Sequence, residues 1–156
     1  MRKLPYREGD IFAVSLTDGK FALGVVARAP KGGRVLLGYF FPDKLSEIPA
    51  KIEVPTLVPE NALKVAKFGD LHLIDGKWPV VGHVENWDRS NWPMPMFIRE
   101  DPIGQSARLV SYSDNDPNQQ ITEQPCDFGT EGFETDSLWG AGYTELLLTK
   151  LCRSQP

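Results

Sequence analysis

Thirteen prolines and fourteen glycines cut this 156-residue chain into short segments, and that punctuation constrains the fold more than any other feature. Proline lacks the N–H that helix interiors and central strands need, and glycine admits the positive φ of tight turns. Short strands joined by turns are therefore favoured over long helices. Ile11 to Leu16 is apolar and β-prone, and Thr17-Asp18-Gly19 follows as a turn. Lys20 to Ala27 reads as the return strand, Ala29 to Gly33 as a second turn and Arg34 to Phe41 as a third strand. This pattern predicts an antiparallel three-strand meander. Gly24 and Gly38 fall inside strands, where glycine marks a bulge or a tight bend, and both suit a curved, barrel-like sheet.

The middle of the chain is less regular. Pro42 to Pro59 holds four prolines and reads as an irregular connection with a short extended piece at Lys51 to Val54. Asn61 to Phe68 fits either a strand or a helical turn. Leu71 to Ile74 runs into the turn signal Asp75-Gly76, and Trp78 to Val84 would be the next strand. Pro79 places that strand at a sheet edge. Pro93 to Ile98 and Arg108 to Ser113 complete the strand candidates. Residues 114–136 lack periodicity and are rich in Asn, Asp, Gln, Pro and Gly, so they read as a long loop. From Ser137 to Cys152 the period becomes helical, with Trp139, Tyr143, Leu146, Leu147 and Leu151 on one stripe and Asp136 or Ser137 as the N-cap. Glu145 to Thr149 also fits a strand. The expected fold is one mainly β (α+β) domain over residues 1–156: a curved, antiparallel, barrel-like sheet with one C-terminal helix.

Apolar residues make up 41% of the chain and charged residues 24%, which suits a packed globule rather than a disordered chain. No apolar run approaches the roughly 20 residues of a membrane span. The start, Met-Arg-Lys-Leu-Pro-Tyr-Arg-Glu, has no apolar stretch behind its basic residues, so no secretory signal is expected and the cytoplasm is the expected compartment. Cys126 and Cys152 have no metal-ligand spacing, and two free thiols fit a reducing compartment. The net charge of −4 is unevenly spread. Residues 1–98 carry 13 basic and 11 acidic side chains, whereas residues 99–156 carry 4 and 10. Asp114, Asp116, Glu123, Asp127, Glu131, Glu134 and Asp136 supply most of that excess, with no Lys or Arg between the first and the last. A nucleic-acid-binding domain needs the opposite balance. The stretch is either a solvated loop or an acidic surface offered to a basic partner.

No common catalytic constellation is present: there is no P-loop, no GxGxxG opening a helix and no HExxH. His72 and His83 flank the Asp75-Gly76 turn, so a hairpin would bring them together, but a histidine pair alone completes no site. No metal, cofactor or catalytic residue is predicted. Trp78 and Trp139 lie in apolar segments and are expected in the core. Trp87 and Trp92 lie in the polar run Glu85 to Pro95, beside Met94 and Met96. They are either exposed interface anchors or caps on the open end of a barrel.

Three stretches, GDIFAVSLTDGKFALGVV (residues 9–26), LIDGKWPVVG (73–82) and SLWGAGYTELLLTKL (137–151), resemble the immunity protein 26 family of bacterial polymorphic toxin systems. The resemblance implies an intracellular protein that protects its producer by binding a cognate toxin, rather than an enzyme. It supplies no catalytic residues. Toxins of such systems are often nucleases, and a basic one would complement the acidic stretch. On this reading Trp87 and Trp92 are the buried contacts and the acids between Asp114 and Asp136 steer the encounter. The rival reading is a stand-alone β-barrel module that binds a small ligand or a cellular protein.

Overall fold

The computed structural model describes residues 3–49 and 57–154, and the extended piece expected at 51–54 lies outside them. The chain opens with β1 (Asp10–Ser15), β2 (Phe21–Arg28), β3 (Val35–Phe40) and the two-residue β4 (Asp43–Lys44). It continues through β5 (Lys64–Gly69), α1 (Leu71–Ile74), β6 (Val80–His83), β7 (Phe97–Asp101), β8 (Ser106–Ser113) and β9 (Asp116–Cys126). It ends with β10 (Glu134–Thr135), β11 (Leu138–Trp139), α2 (Ala141–Leu151) and β12 (Arg153–Ser154).

The meander forms where the turn chemistry places it. Ile11 pairs with Val25, Ser15 with Phe21 and Val25 with Tyr39, all antiparallel. Gly19 closes the first turn at φ 83°, a conformation that a side chain would strain. β5 joins β3 on one side, and β6 joins β1 as the outer strand, where Pro79 predicts it. The order β11-β5-β3-β2-β1-β6 leaves two separate edges, so the sheet is curved but open. The expected barrel does not close. Gly24 and Gly38 are used for packing instead: a Cβ on Gly24 would sit 2.5 Å from the Phe12 ring, and one on Gly38 2.7 Å from Phe68. The bulge in β2 falls between Val26 and Arg28, after the glycine.

This six-stranded sheet is covered on both faces, which explains why its strands read as continuous apolar runs. One face carries Phe12, Val14, Phe40 and Phe68 against Trp78, Trp139 and Leu148. Phe12 stacks on Phe68 at 5.5 Å and on Trp78 at 6.0 Å, and Phe40 stacks on Trp139 at 5.3 Å. The other face carries Ile11, Val25, Leu37 and Tyr39 against Trp92 and Phe97. Phe97 belongs to a second sheet of order β10-β7-β8-β9. A two-stranded sheet pairs β12 with β4.

Three expectations change here, and two open alternatives are resolved. Residues 114–136 are not one loop, because 116–126 form an eleven-residue strand paired with β8 from Ser113↔Asp116 to Ala107↔Cys126. That strand is exposed along nearly all its length, so no burial alternation marks it in the sequence. Leu71 to Ile74 is a helical turn rather than a strand, so the histidines are not hairpin neighbours: His72 pairs with Asp75 at 3.0 Å and His83 with Asp10 at 2.9 Å. Residues 64–69 take the strand alternative, and 141–151 the helical one. The N-cap of α2 is Gly140, not Asp136 or Ser137, because the chain first forms β11 parallel to β5. Glu145 of α2 then accepts hydrogen bonds from Ser15 Oγ and Trp78 Nε1, both at 2.9 Å, which pins the helix to the sheet.

Candidate functional site

The acids of the second sheet sort by what reaches them. Asp114, at the β8–β9 turn, is paired with Arg28 at 2.8 Å and Arg89 at 3.5 Å. Asp116 accepts from the Asn118 N–H and shapes the start of β9. Glu123 lies on β9 opposite Val110 and pairs with Arg108 at 3.3 Å. Glu134 pairs with Lys64 of β5 at 3.2 Å. Asp136 is the most enclosed, with its side chain 4% exposed. Lys67 and Arg99 each reach it at 2.6 Å, and the Tyr112 hydroxyl donates to it at 2.7 Å. Burial alone would raise its carboxyl pKa, but these three donors outweigh burial and hold it below the usual carboxylate range. The same contact raises the pKa of Arg99.

The basic residues missing between Asp114 and Asp136 in the sequence are therefore supplied from other strands and, for Arg89, from the turn at Arg89–Asn91. Asp136 does not face solvent and has no free charge to offer a partner. Sequence reasoning missed Arg28, Lys67, Arg89 and Arg99. Lys67 carried a signal, because a lone charge inside the apolar run Val65 to Phe68 needs a partner when buried.

Three of the seven acids have no cationic partner among the described residues: Asp116, which is held by the Asn118 N–H, and Asp127 and Glu131. Asp127 and Glu131 are exposed, and among the described residues no cation pairs with either side chain. They lie between β9 and β10 with Phe128 and Phe133, each 38% exposed. Gly129 and Gly132 shape this segment at φ 85° and 93°, and the Gly129 N–H donates to Glu100 at 2.9 Å, which ties the segment to β7. At the same end of the sheet, the β7–β8 turn presents Ile103 at 97% exposure. Acids and apolar side chains are thus interleaved on one exposed end of the second sheet. The two phenylalanines were legible as aromatics in an otherwise polar run, a signal the acid count overshadowed.

The tryptophans take different places. Trp92 is 4% exposed, with its ring 5.0 Å from Tyr39 and 6.3 Å from Phe41. It is a core residue of the face between the two larger sheets, not an exposed anchor. Trp87 is half-buried against Trp92 at 5.5 Å and against the backbone at Gly9, where a Cβ would come within 2.9 Å of its ring. Trp78 and Trp139 lie in the core as expected.

Among the described residues no group of three or more His, Cys, Asp or Glu side chains is placed to hold a metal ion. No helix among them is long and apolar enough to cross a membrane. Both cysteines are free, and burial pushes the Cys152 thiol pKa up to about 11, the wrong direction for a nucleophile.

A family model described as Immunity protein 26 matches residues 7–109. The match contains the stretches 9–26 and 73–82 and both Trp87 and Trp92, and it ends before the seven acids and before residues 137–151. No curated protein and no solved structure matches the chain.

Proposed function

Because the chain belongs to the immunity protein 26 family, we propose that it binds a cognate bacterial polymorphic toxin in the producer's cytoplasm and neutralises it by covering its active surface. Occupancy of this kind needs no catalytic group, cofactor or metal. It needs a surface that draws the partner in and a set of contacts that then hold it. The observation that carries this reading is the exposed end of the second sheet, where the unpaired Asp127 and Glu131 stand beside Phe128, Phe133 and Ile103. Free carboxylates attract a basic toxin over a distance, and exposed aromatic and aliphatic side chains become anchors once water leaves the interface. Asp114, Glu123 and Glu134 contribute as rim charges, already partly neutralised by their own arginine or lysine.

The test is co-expression with a candidate cognate toxin. The expected result is a stable complex on size exclusion and loss of toxin activity at stoichiometric inhibitor. A toxin that stays fully active under excess inhibitor, with no complex formed, would overturn the reading.

A further inference from the structure

A cleft of about 1010 Å³ opens at the end of the molecule formed by the N-terminal segment, the β2–β3 turn and α1. Its rim carries Lys3, Arg7, Lys31 and Arg34. The chain as a whole is acidic, so four cations around one concavity run against its charge. Two acids, Asp10 and Asp70, also line it, but both are already engaged. Asp70 accepts from the Tyr6 hydroxyl at 2.7 Å and from the Arg34 N–H at 3.0 Å. Asp10 accepts from the Arg7 N–H at 2.9 Å and lies 2.9 Å from His83 Nδ1. Arg7 Nε reaches Asp10 only at 3.9 Å with its own side chain 75% exposed. Among the described residues nothing pairs with the side chains of Lys3, Lys31 or Arg34.

Arg34 is also held in a costly backbone conformation. Its φ is 88°, in the left-handed region that non-glycine residues avoid. Two bonds to one residue fix it there: its N–H donates to the Asp70 carboxylate, and its carbonyl accepts the Asp70 N–H at 3.0 Å. The preceding Gly33, at φ 75°, leaves room for the Tyr6 hydroxyl and Asp70 where a Cβ would collide. Strain of this kind, over-determined by neighbours, is concentrated at ligand clamps. The apolar part of the lining comes from Leu4, Pro5 and Ile74.

We propose that this cleft binds a small phosphate-bearing molecule of nucleotide size, its phosphates held by Lys3, Lys31 and Arg34 and its ring laid on Leu4, Pro5 and Ile74. Three cations without acidic partners on one lining suit a multiply charged phosphate group better than a single carboxylate, and arginine pairs with phosphate oxygens in bidentate fashion. The volume is at the upper end of small-molecule sites, which run to about 1,000 Å³. The cleft is built from residues other than the acids and aromatics that face the toxin, so its occupancy is separable from toxin binding.

The experiment is calorimetric titration of the full chain with ADP, with inorganic pyrophosphate and with a short single-stranded oligonucleotide. Wild type should bind one ADP saturably, with a dissociation constant below about 1 mM at low salt, and more weakly as salt rises. Lys31→Gln with Arg34→Gln should weaken binding about tenfold or more, because two charge-assisted contacts are lost. Lys3→Gln with Lys31→Gln leaves the strained backbone untouched and should show a loss in the same direction. Both double variants should still neutralise the toxin. Absence of saturable ADP binding by wild type, binding by both variants as tight as wild type, or binding of the oligonucleotide alone would each overturn the proposal.

Discussion

Lys67 Nζ and Asp136 Oδ1 meet at 2.6 Å across the seam between the two larger sheets, with both side chains more than nine-tenths withdrawn from solvent. Lys67 sits on β5, and its ammonium also lies 3.6 Å from the centre of the Tyr112 ring. Asp136 follows directly on β10, which pairs with β7 of the second sheet. The pair therefore ties the second sheet to the first, beside the apolar layer of Tyr39, Trp92 and Phe97 and the Lys64–Glu134 pair. Removing one partner from such a pair strands a buried charge, which typically costs about 3–5 kcal/mol. Asp136→Asn should lower the unfolding free energy by about 3 kcal/mol in urea titration, and a loss under about 1 kcal/mol would show that water reaches the seam.

The same carboxylate makes stability depend on acid. Its folded pKa is depressed, so the unfolded chain takes up this proton at higher pH than the folded chain does. Its contribution is fully present above about pH 5 and is lost as pH falls through the folded value. Melting temperatures measured from pH 7 to pH 3 should hold steady at first and then drop. In Asp136→Asn the drop should be shallower, since that variant has no proton to take up at this site.

Toxin association should respond to the two exposed, unpaired acids. Asp127→Asn with Glu131→Gln should slow association by several-fold at low salt and leave dissociation nearly unchanged, as rim charges do. The difference should shrink at physiological salt, where screening acts over about 8 Å. Phe128→Ala with Phe133→Ala should instead speed dissociation, with a cost of roughly 2 kcal/mol if the pair is a hot spot. Stopped-flow binding at two salt concentrations separates the two effects. An association rate indifferent to the acid pair would reduce that segment to a solvated spacer.

Trp92→Ala should act on folding rather than on binding. The ring fills the layer between Tyr39, Phe41 and Trp87, and truncating a buried aromatic costs about 3–5 kcal/mol. Chemical denaturation should show that loss, while the folded fraction should still bind toxin with the wild-type dissociation rate. Faster dissociation from a fully folded variant would return Trp92 to the interface.

The meander was legible because both of its signals are local: Asp18-Gly19 dictates one turn, and apolar runs of strand length flank it. The edge position of β6 was legible because Pro79 cannot pair on both sides. β9 was not, because its exposed Gln and Thr side chains show neither burial nor alternation, and its pairing is set by the neighbouring β8. The acidic stretch was legible as composition but not as surface. Whether Asp136 faces water is decided by Lys67 and Arg99, which lie 69 and 37 residues away in sequence. The place of Trp92 was hidden for the same reason: its polar neighbours in sequence are not its neighbours in space.

Among the described strands the three parallel pairings all come from the final segment, where β10, β11 and β12 each join a different sheet. The last of these pairs residues 153 and 154 with 43 and 44. Loops of this size close slowly, because chain entropy must be lost before the contacts form. Residues 134–154 thus act as one strap across three sheets, so a change in any of its short strands is felt at a different place in the fold.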